Sequence, residues 1–397
     1  MRVRIVAPIL ALATSVLLAA SACSTGASGG STTPSGSSGG ADPGGLTASA
    51  TAALQAKVDK FRAVPSFTAP GPSIDLSSLR GKSIFIVPET NNVFNNVNVA
   101  QMKTIATAAG ITATVYDNQG TSAQWVQGIQ TAISQHVSLI ILANAPDPRA
   151  LQPQLAAAKA AGIPVVVTHF YDDSAPKPPT CEGCAAGVTA LETAPFNTAA
   201  ELLADWVILQ AKGNVDALIP IVGGVIPTPG MQSAIQGEFK QYCPKCTYKF
   251  INIPLSDFAS GKLGNDIQAS VSGDPKVNWI IDQLDSMEPA TLTTINTAGR
   301  NGKINVVGYN GSTFAIKDVQ GGSSPMVMDV GESAPWIGYA TMDQAFRVLL
   351  GKPTVSESAP VRVFDSTNAA EAGTPPSLTE GYGDAYVNGF KQLWGMG

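Results

Sequence analysis

The sequence predicts an α/β protein built from two doubly wound, parallel-sheet lobes in tandem. Short continuous apolar runs alternate with amphipathic stretches, the pattern of strands buried on both faces and separated by helices. The pattern then starts afresh in the second half of the chain. The length that remains after a low-complexity N-terminal region is enough for two domains with substantial cores.

Residues 83–87 (Ser-Ile-Phe-Ile-Val) read as a buried strand, and 95–109 as a helix with Val99, Met102, Ile105 and Ala106 on one face. Residues 111–116 give a second strand. Trp125, Ile129 and Ile133, four apart, mark a second helix. A strand at 138–142, a helix at 148–161 and a strand at 163–168 complete the first series. The two series join near 186–191. Thr198 and Glu201 have capping-box spacing and are expected to open a helix that ends at Gly213. Strands follow at 217–222, 248–253, 277–282 and 304–308, with helices at 231–242, 263–273 and 289–301 between them. A strand at 326–330, a helix at 334–350, a strand at 361–364 and a terminal helix carrying Tyr386, Phe390, Leu393 and Trp394 close the chain.

In open parallel sheets ligands bind beyond the carboxyl ends of the strands. Those ends carry Glu89 to Phe94, Asn144 with Asp147, His169 with Phe170, Gly223 to Gln232, Asp282 to Asp285, and Asn310. Amides, carboxylates and aromatics dominate. Neither GxGxxG nor GxxxxGK[ST] occurs, so no phosphate cradle or nucleotide cofactor is expected. The chain has only two histidines, His136 and His169, and no metal is expected. Charged residues make up 13% of the chain and the net charge is −5, which offers no basic field for nucleic acid.

Arg2 and Arg4 precede an apolar stretch over 5–22 that ends Ala20-Ser21-Ala22-Cys23, the layout of an export signal over 1–22. Residues 24–45 hold eight glycines and six serines, a flexible tether that cannot bury apolar surface. Cys181 with Cys184, and Cys243 with Cys246, form two CxxC pairs. Four cysteines allow three pairings. Local disulfides are expected in an exported protein, with zinc or redox chemistry as the rival reading.

The residues around Cys23 resemble the lipobox of bacterial lipoproteins, which implies an acylated Cys23 at the start of the mature chain and a membrane anchor. From 82 to 364 the sequence resembles the ribose-binding-like, type I periplasmic sugar-binding proteins of ABC importers. The resemblance rests on 84–94, on 139–147 with Gly162-Ile-Pro-Val-Val166, on Val306-Val-Gly-Tyr-Asn-Gly311, and on Gly338-Tyr-Ala340 through Gly351-Lys-Pro353. It implies two lobes joined by a three-strand hinge, lobe one being 46–190 plus 332–360 and lobe two 191–331 plus 361–397. It also implies a ligand trapped between the lobes and a membrane permease as partner. The lobes must open and close freely, so a monomer is expected.

Carried onto this chain, the family's pocket falls on Asn92 and Phe94, on Asn144 and Asp147, on His169 and Phe170, and on Gln232, Asp285, Asn310 and the hinge-proximal Glu332. Relatives often have Asp-Arg where His169-Phe170 stands, Arg near Gln232, and Asp at Asn310. Two cationic forks and an acid are therefore missing. The expected ligand is a neutral sugar or polyol other than ribose, or a more apolar molecule. Two rival functions share the sequence. A ligand-loaded sensor would dock on a membrane receptor. An exported glycosidase would need a carboxylate pair such as Asp282 with Asp285 or Asp172 with Asp173.

Overall fold

The computed structural model describes residues 45–144, 147–176 and 186–396. Cys23 and the signal and tether segments, and Cys181 with Cys184, lie outside the described residues. Among those described, no helix is long and apolar enough to cross a membrane.

The chain opens with helix α1 (Ala48–Arg62), capped by Thr47, whose hydroxyl accepts from Ala50 N. The first sheet is built from β1 (Ser83–Pro88), α2 (Val93–Ala108), β2 (Thr112–Val115), α3 (Ser122–Ser134), β3 (Leu139–Ala143), α4 (Gln152–Ala160), β4 (Val165–Asp172) and β5 (Ala190–Ala194). The second comprises α5 (Phe196–Gln210), β6 (Asp216–Val222), α6 (Thr228–Tyr242), β7 (Thr247–Ile253), α7 (Leu255–Ala259), α8 (Leu263–Gly273), β8 (Trp279–Ile281), α9 (Glu288–Thr297), β9 (Asn305–Asn310), α10 (Thr313–Gly321) and β10 (Met326–Glu332). Then come α11 (Ala334–Leu349), β11 (Val361–Asp365) and α12 (Ala385–Leu393).

The strand order is β2-β1-β3-β4-β5 in one sheet and β11-β10-β9-β8-β6-β7 in the other. Leaving out β11, the two sheets repeat the same order. Every pairing is parallel except β10 with β11, which is antiparallel. Helices cover both faces, so strands such as β3 and β6 are buried along nearly their whole length. In lobe one, α2 and α11 share a core with Ile84, Ile86 and Ile141, while Ile129 and Leu155 of α3 and α4 pack on Phe85 and Leu142.

Three segments join the lobes, at 194–196, 332–334 and 358–361; the first lies after β5, which pairs with β4 in the first sheet, and not near 186–191 as expected. Thr193 ties two of these segments, its N–H and its hydroxyl both donating to Glu357 O at 2.9 Å. The expected lobe boundaries need two corrections. Residues 46–62 pack on lobe two, where Leu46, Leu54 and Val58 share a core with Leu202 and Trp206. The last helix packs on lobe one, where Tyr386, Phe390 and Trp394 meet Trp336, Tyr339 and Phe346. The chain therefore makes two further crossings, one after Arg62 and one before Ala385. Arg62 holds Asp365 of β11, and Phe67 already meets Phe390 edge-on, with ring centroids 4.9 Å apart.

The Thr198 capping box is also corrected. The helix starts at Phe196 with Pro195 at its N-cap and no side-chain cap, so Thr198 sits within the first turn. Pro195 supplies a fixed φ that suits the entry. Helices α1, α7 and α10 and strand β5 were not foreseen.

Candidate functional site

Both sheets reverse their winding between their first and third strands, at β1/β3 and at β6/β8. The rule for doubly wound sheets places a ligand at such switch points, outside the carboxyl ends. A cavity of about 590 Å³ lies there, where the two sheets' strand ends face each other. Lobe one supplies Glu89, Asn92, Phe94 and Asn95 after β1, Asn144 after β3, and His169 with Phe170 from β4. Lobe two supplies Val222, Val225 and Pro227 after β6, Leu284 and Ser286 after β8, and Asn310, Thr313 and Phe314 after β9. Phe196 and Leu378 also line it, as do Val93, Leu255 and Phe258.

Three of the lining residues hold left-handed backbone: Asn144 (φ 55°), His169 (φ 52°) and Asn310 (φ 138°). Such conformations cost free energy for residues with a Cβ and cluster at functional sites. Here each one turns the chain sharply at or near a strand end and sets its side chain in the cleft. Gly311, next in line, has φ 73°, and a Cβ there would come within 2.8 Å of Tyr382 Oη and 2.9 Å of Gly331 Cα. Only glycine fits both demands.

The asparagines of lobe one form a ladder. Asn98 Nδ2 donates to Asn144 Oδ1 at 3.0 Å, and Asn144 Nδ2 donates to Asn95 Oδ1 at 2.6 Å. Asn95 Nδ2 then donates to Thr90 O, and Asn92 caps α2 by accepting from Asn95 N at 2.8 Å. The ladder fixes the floor and occupies most of its own hydrogen-bonding groups.

His169 joins the lobes. Its Nε2 lies 2.8 Å from Glu332 Oε2, and the same oxygen accepts from Tyr309 OH of β9 at 2.5 Å. Its ring stands 5.5 Å from Phe94 and 5.2 Å from Phe196, centroid to centroid. Burial works against the imidazolium, but the carboxylates of Glu332, Glu192 and Glu89 outweigh it and hold His169 above its ordinary pKa. Glu192 accepts from Thr168 Oγ1 at 2.6 Å and from His169 N at 3.0 Å; burial pushes its carboxyl up to about 8. Burial also raises Glu89, against the pull of Asn95 and His169.

Of the residues read from sequence, Asn92, Phe94, Asn144, His169, Phe170 and Asn310 come together in this cleft. Four others do not line it. Asp147 caps the short turn at Pro148–Leu151 and is paired with Arg149 at 2.8 Å. Gln232 lines an adjoining pocket with Arg149, Gly223 and Asn252. Asp285 is fully buried behind the wall, where it accepts from Ser312 N at 2.7 Å. Glu332 is fully buried beneath His169. Both acids therefore support cleft residues from behind.

The carboxylate pairs considered for hydrolysis fare no better. Asp282 is buried against Thr291 Oγ1 at 2.9 Å, and burial pushes it up to about 8. Asp172 accepts from Asn197 N and Nδ2, both at 2.8 Å. Neither faces the cavity. Among the described residues, no group of three or more His, Cys, Asp or Glu could hold a metal. The sequence did not single out Leu255, Phe258, Phe314 or Leu378. They stand on loops and short helices of lobe two, outside any strand-end pattern.

The model of the periplasmic binding protein domain family matches residues 83–353. The chain belongs to that family. Among solved structures, an ABC transporter solute-binding protein from Agrobacterium vitis, bound with α-D-tagatopyranose, is 17% identical with TM-score 0.64, covering 73% of this chain and 96% of that one. One from Mycobacterium smegmatis with bound glycerol is 20% identical with TM-score 0.63, covering 75% of this chain and 99% of that one. One from Actinobacillus succinogenes 130z with bound D-allose is 18% identical with TM-score 0.61, covering 72% and 99%. No curated protein matches the chain.

Proposed function

We propose that this protein is an extracytoplasmic solute-binding lipoprotein. It captures a small, neutral, hydroxylated ligand between its lobes and delivers it to an ABC importer. The observation that carries this reading is the cleft where the switch points of both sheets face each other, floored by asparagines and a histidine held in left-handed backbone. The sugar- and polyol-bound structures of the same fold point the same way.

In this reading Phe94 stacks on the apolar face of a sugar ring, and Asn310, Asn92 and the Nδ1 of His169 exchange hydrogen bonds with its hydroxyls. Contacts from both lobes form together only when the cleft closes, so ligand shifts the population toward closure. In this reading the protein acts as a carrier and not as an enzyme. It works as a monomer, anchored through an acylated Cys23. Cys243 and Cys246, beside Gly213 O, form a disulfide in the oxidising compartment.

A thermal-shift screen of the purified protein against sugars, polyols, nucleosides and amino acids tests the reading. Ligand at about 100 times its Kd adds about 2.7 kcal/mol to stability. One polyhydroxylated class should raise the melting temperature. A shift from amino acids alone would defeat the proposal.

A further inference from the structure

The cleft is far more apolar toward its mouth than on its floor. The floor residues Asn144 and His169 are nearly buried, and Asn310 is half-buried. Among the described residues only four large hydrophobic side chains are exposed: Val64, Val93, Leu255 and Phe314. Three of them, Val93 (68%), Leu255 (52%) and Phe314 (43%), belong to this one cleft. They come from both lobes, Val93 from the start of α2 and the others from α7 and α10. Phe94, Phe258 and Val225 continue the same surface. Single exposed apolar residues need no explanation, but a cluster around one concave site marks a surface that is covered in use.

The polar side is correspondingly sparse. Asn144 spends both ends of its amide on Asn98 and Asn95, and Asn95 spends its amide on Asn144 and Thr90. Among the described lining residues there is no lysine and no arginine, and His169 already faces Glu332, so a carboxylate or phosphate would find no free counter-charge. A free hexose carries hydroxyls around its whole rim. In this cleft, the hydroxyls that face Leu255, Phe258 and Phe314 would lose water without gaining partners.

We infer that the ligand is a glycoside with an apolar aglycone, an aryl or alkyl group carried on a sugar. This rests on the proposed carrier reading of the same cleft. The sugar enters first and meets His169, Asn310 and Phe94. The aglycone lies outward and is clamped between Val93 on one lobe and Leu255 and Phe314 on the other. The rim residues meet only on closure, so the aglycone itself helps to drive the lobes together.

The test is calorimetric titration of the purified protein with glucose, galactose, allose and ribose, each as the free sugar and as the methyl, phenyl and octyl glycoside. For the sugar that fits, the phenyl or octyl glycoside is expected to bind about 10- to 100-fold tighter than the methyl glycoside, the gain from burying one ring or chain. The paired substitutions Leu255→Ser and Phe314→Ser should bring that ratio toward one, with an unchanged circular dichroism spectrum showing that the fold is intact. A free sugar that binds as tightly as its phenyl and octyl glycosides would overturn the inference and leave the carrier reading standing. Phenol or octanol binding as tightly as the glycosides, or no hydroxylated compound binding at all, would overturn both.

Discussion

Replacing Asn144 by alanine strikes the floor of the cleft at its most constrained point. Asn144 is 6% exposed, holds φ 55°, and is the partner of both Asn98 Nδ2 (3.0 Å) and Asn95 Oδ1 (2.6 Å). Alanine leaves those two buried groups without a partner, at about 1–3 kcal/mol each. It also keeps a Cβ in left-handed backbone without the amide that eases it, at about 1 kcal/mol more. The expected loss is about 3–7 kcal/mol, read as a lower urea midpoint at constant slope. Asn144→Gly relieves the backbone and not the hydrogen bonds, so it should fall between wild type and alanine. Ligand affinity should drop in both variants, because Asn95 anchors the start of α2. An Asn144→Ala midpoint within about 0.5 kcal/mol of wild type would refute the ladder as a structural element.

Burial pushes Glu192, Asp282 and Glu288 each up to about 8. The folded chain keeps these protons where the unfolded chain has released them, so stability falls as pH rises from about 4 toward 8. His169 acts in the same sense, since it too is held above its ordinary value and its contribution is lost as pH rises through the folded value. A melting temperature at pH 5 at least about 2–4 °C above that at pH 8 is expected, the effect of even one carboxyl shifted by one unit; a rise toward pH 8 would contradict it. Gly389 lies where an added Cβ would come 2.1 Å from Phe67 Cδ1, so Gly389→Ala should cost about 1–3 kcal/mol in a urea melt. Phe67→Ala should reduce that penalty, and strict additivity of the pair would argue against this contact. In folded protein secreted to an oxidising compartment, Cys243 and Cys246 should resist alkylation until a reductant is added, as read by peptide mass spectrometry.

The strands were the most legible part of the sequence, because parallel strands covered on both faces appear as unbroken apolar runs. β5 breaks that rule. Its centre is Glu192 and Thr193, both fully buried, and their partners His169 N and Glu357 O come from elsewhere in the fold. Helix α1 buries only Leu54 and Val58, too weak a stripe to stand out, and its docking on lobe two depends on α5. At the site, the strand-end rule found Asn144, His169 and Asn310. It misplaced Asp285, and the family resemblance misplaced Glu332, since sequence position does not distinguish a side chain that faces the cleft from one that holds the wall behind it. The apolar mouth was hidden for another reason: Leu255, Phe314 and Leu378 reach the cleft from segments brought there only by the packing of lobe two.

The account's central claim is that one hydroxylated solute binds between the lobes, on residues from both. Calorimetric titration with the ligand class found by screening, on wild type and on Phe94→Ala and Asn310→Ala, tests it most directly. One site per chain is predicted, with affinity falling at least about tenfold in either variant, one altered on each lobe. Undiminished binding in both variants would place the ligand elsewhere and contradict the claim.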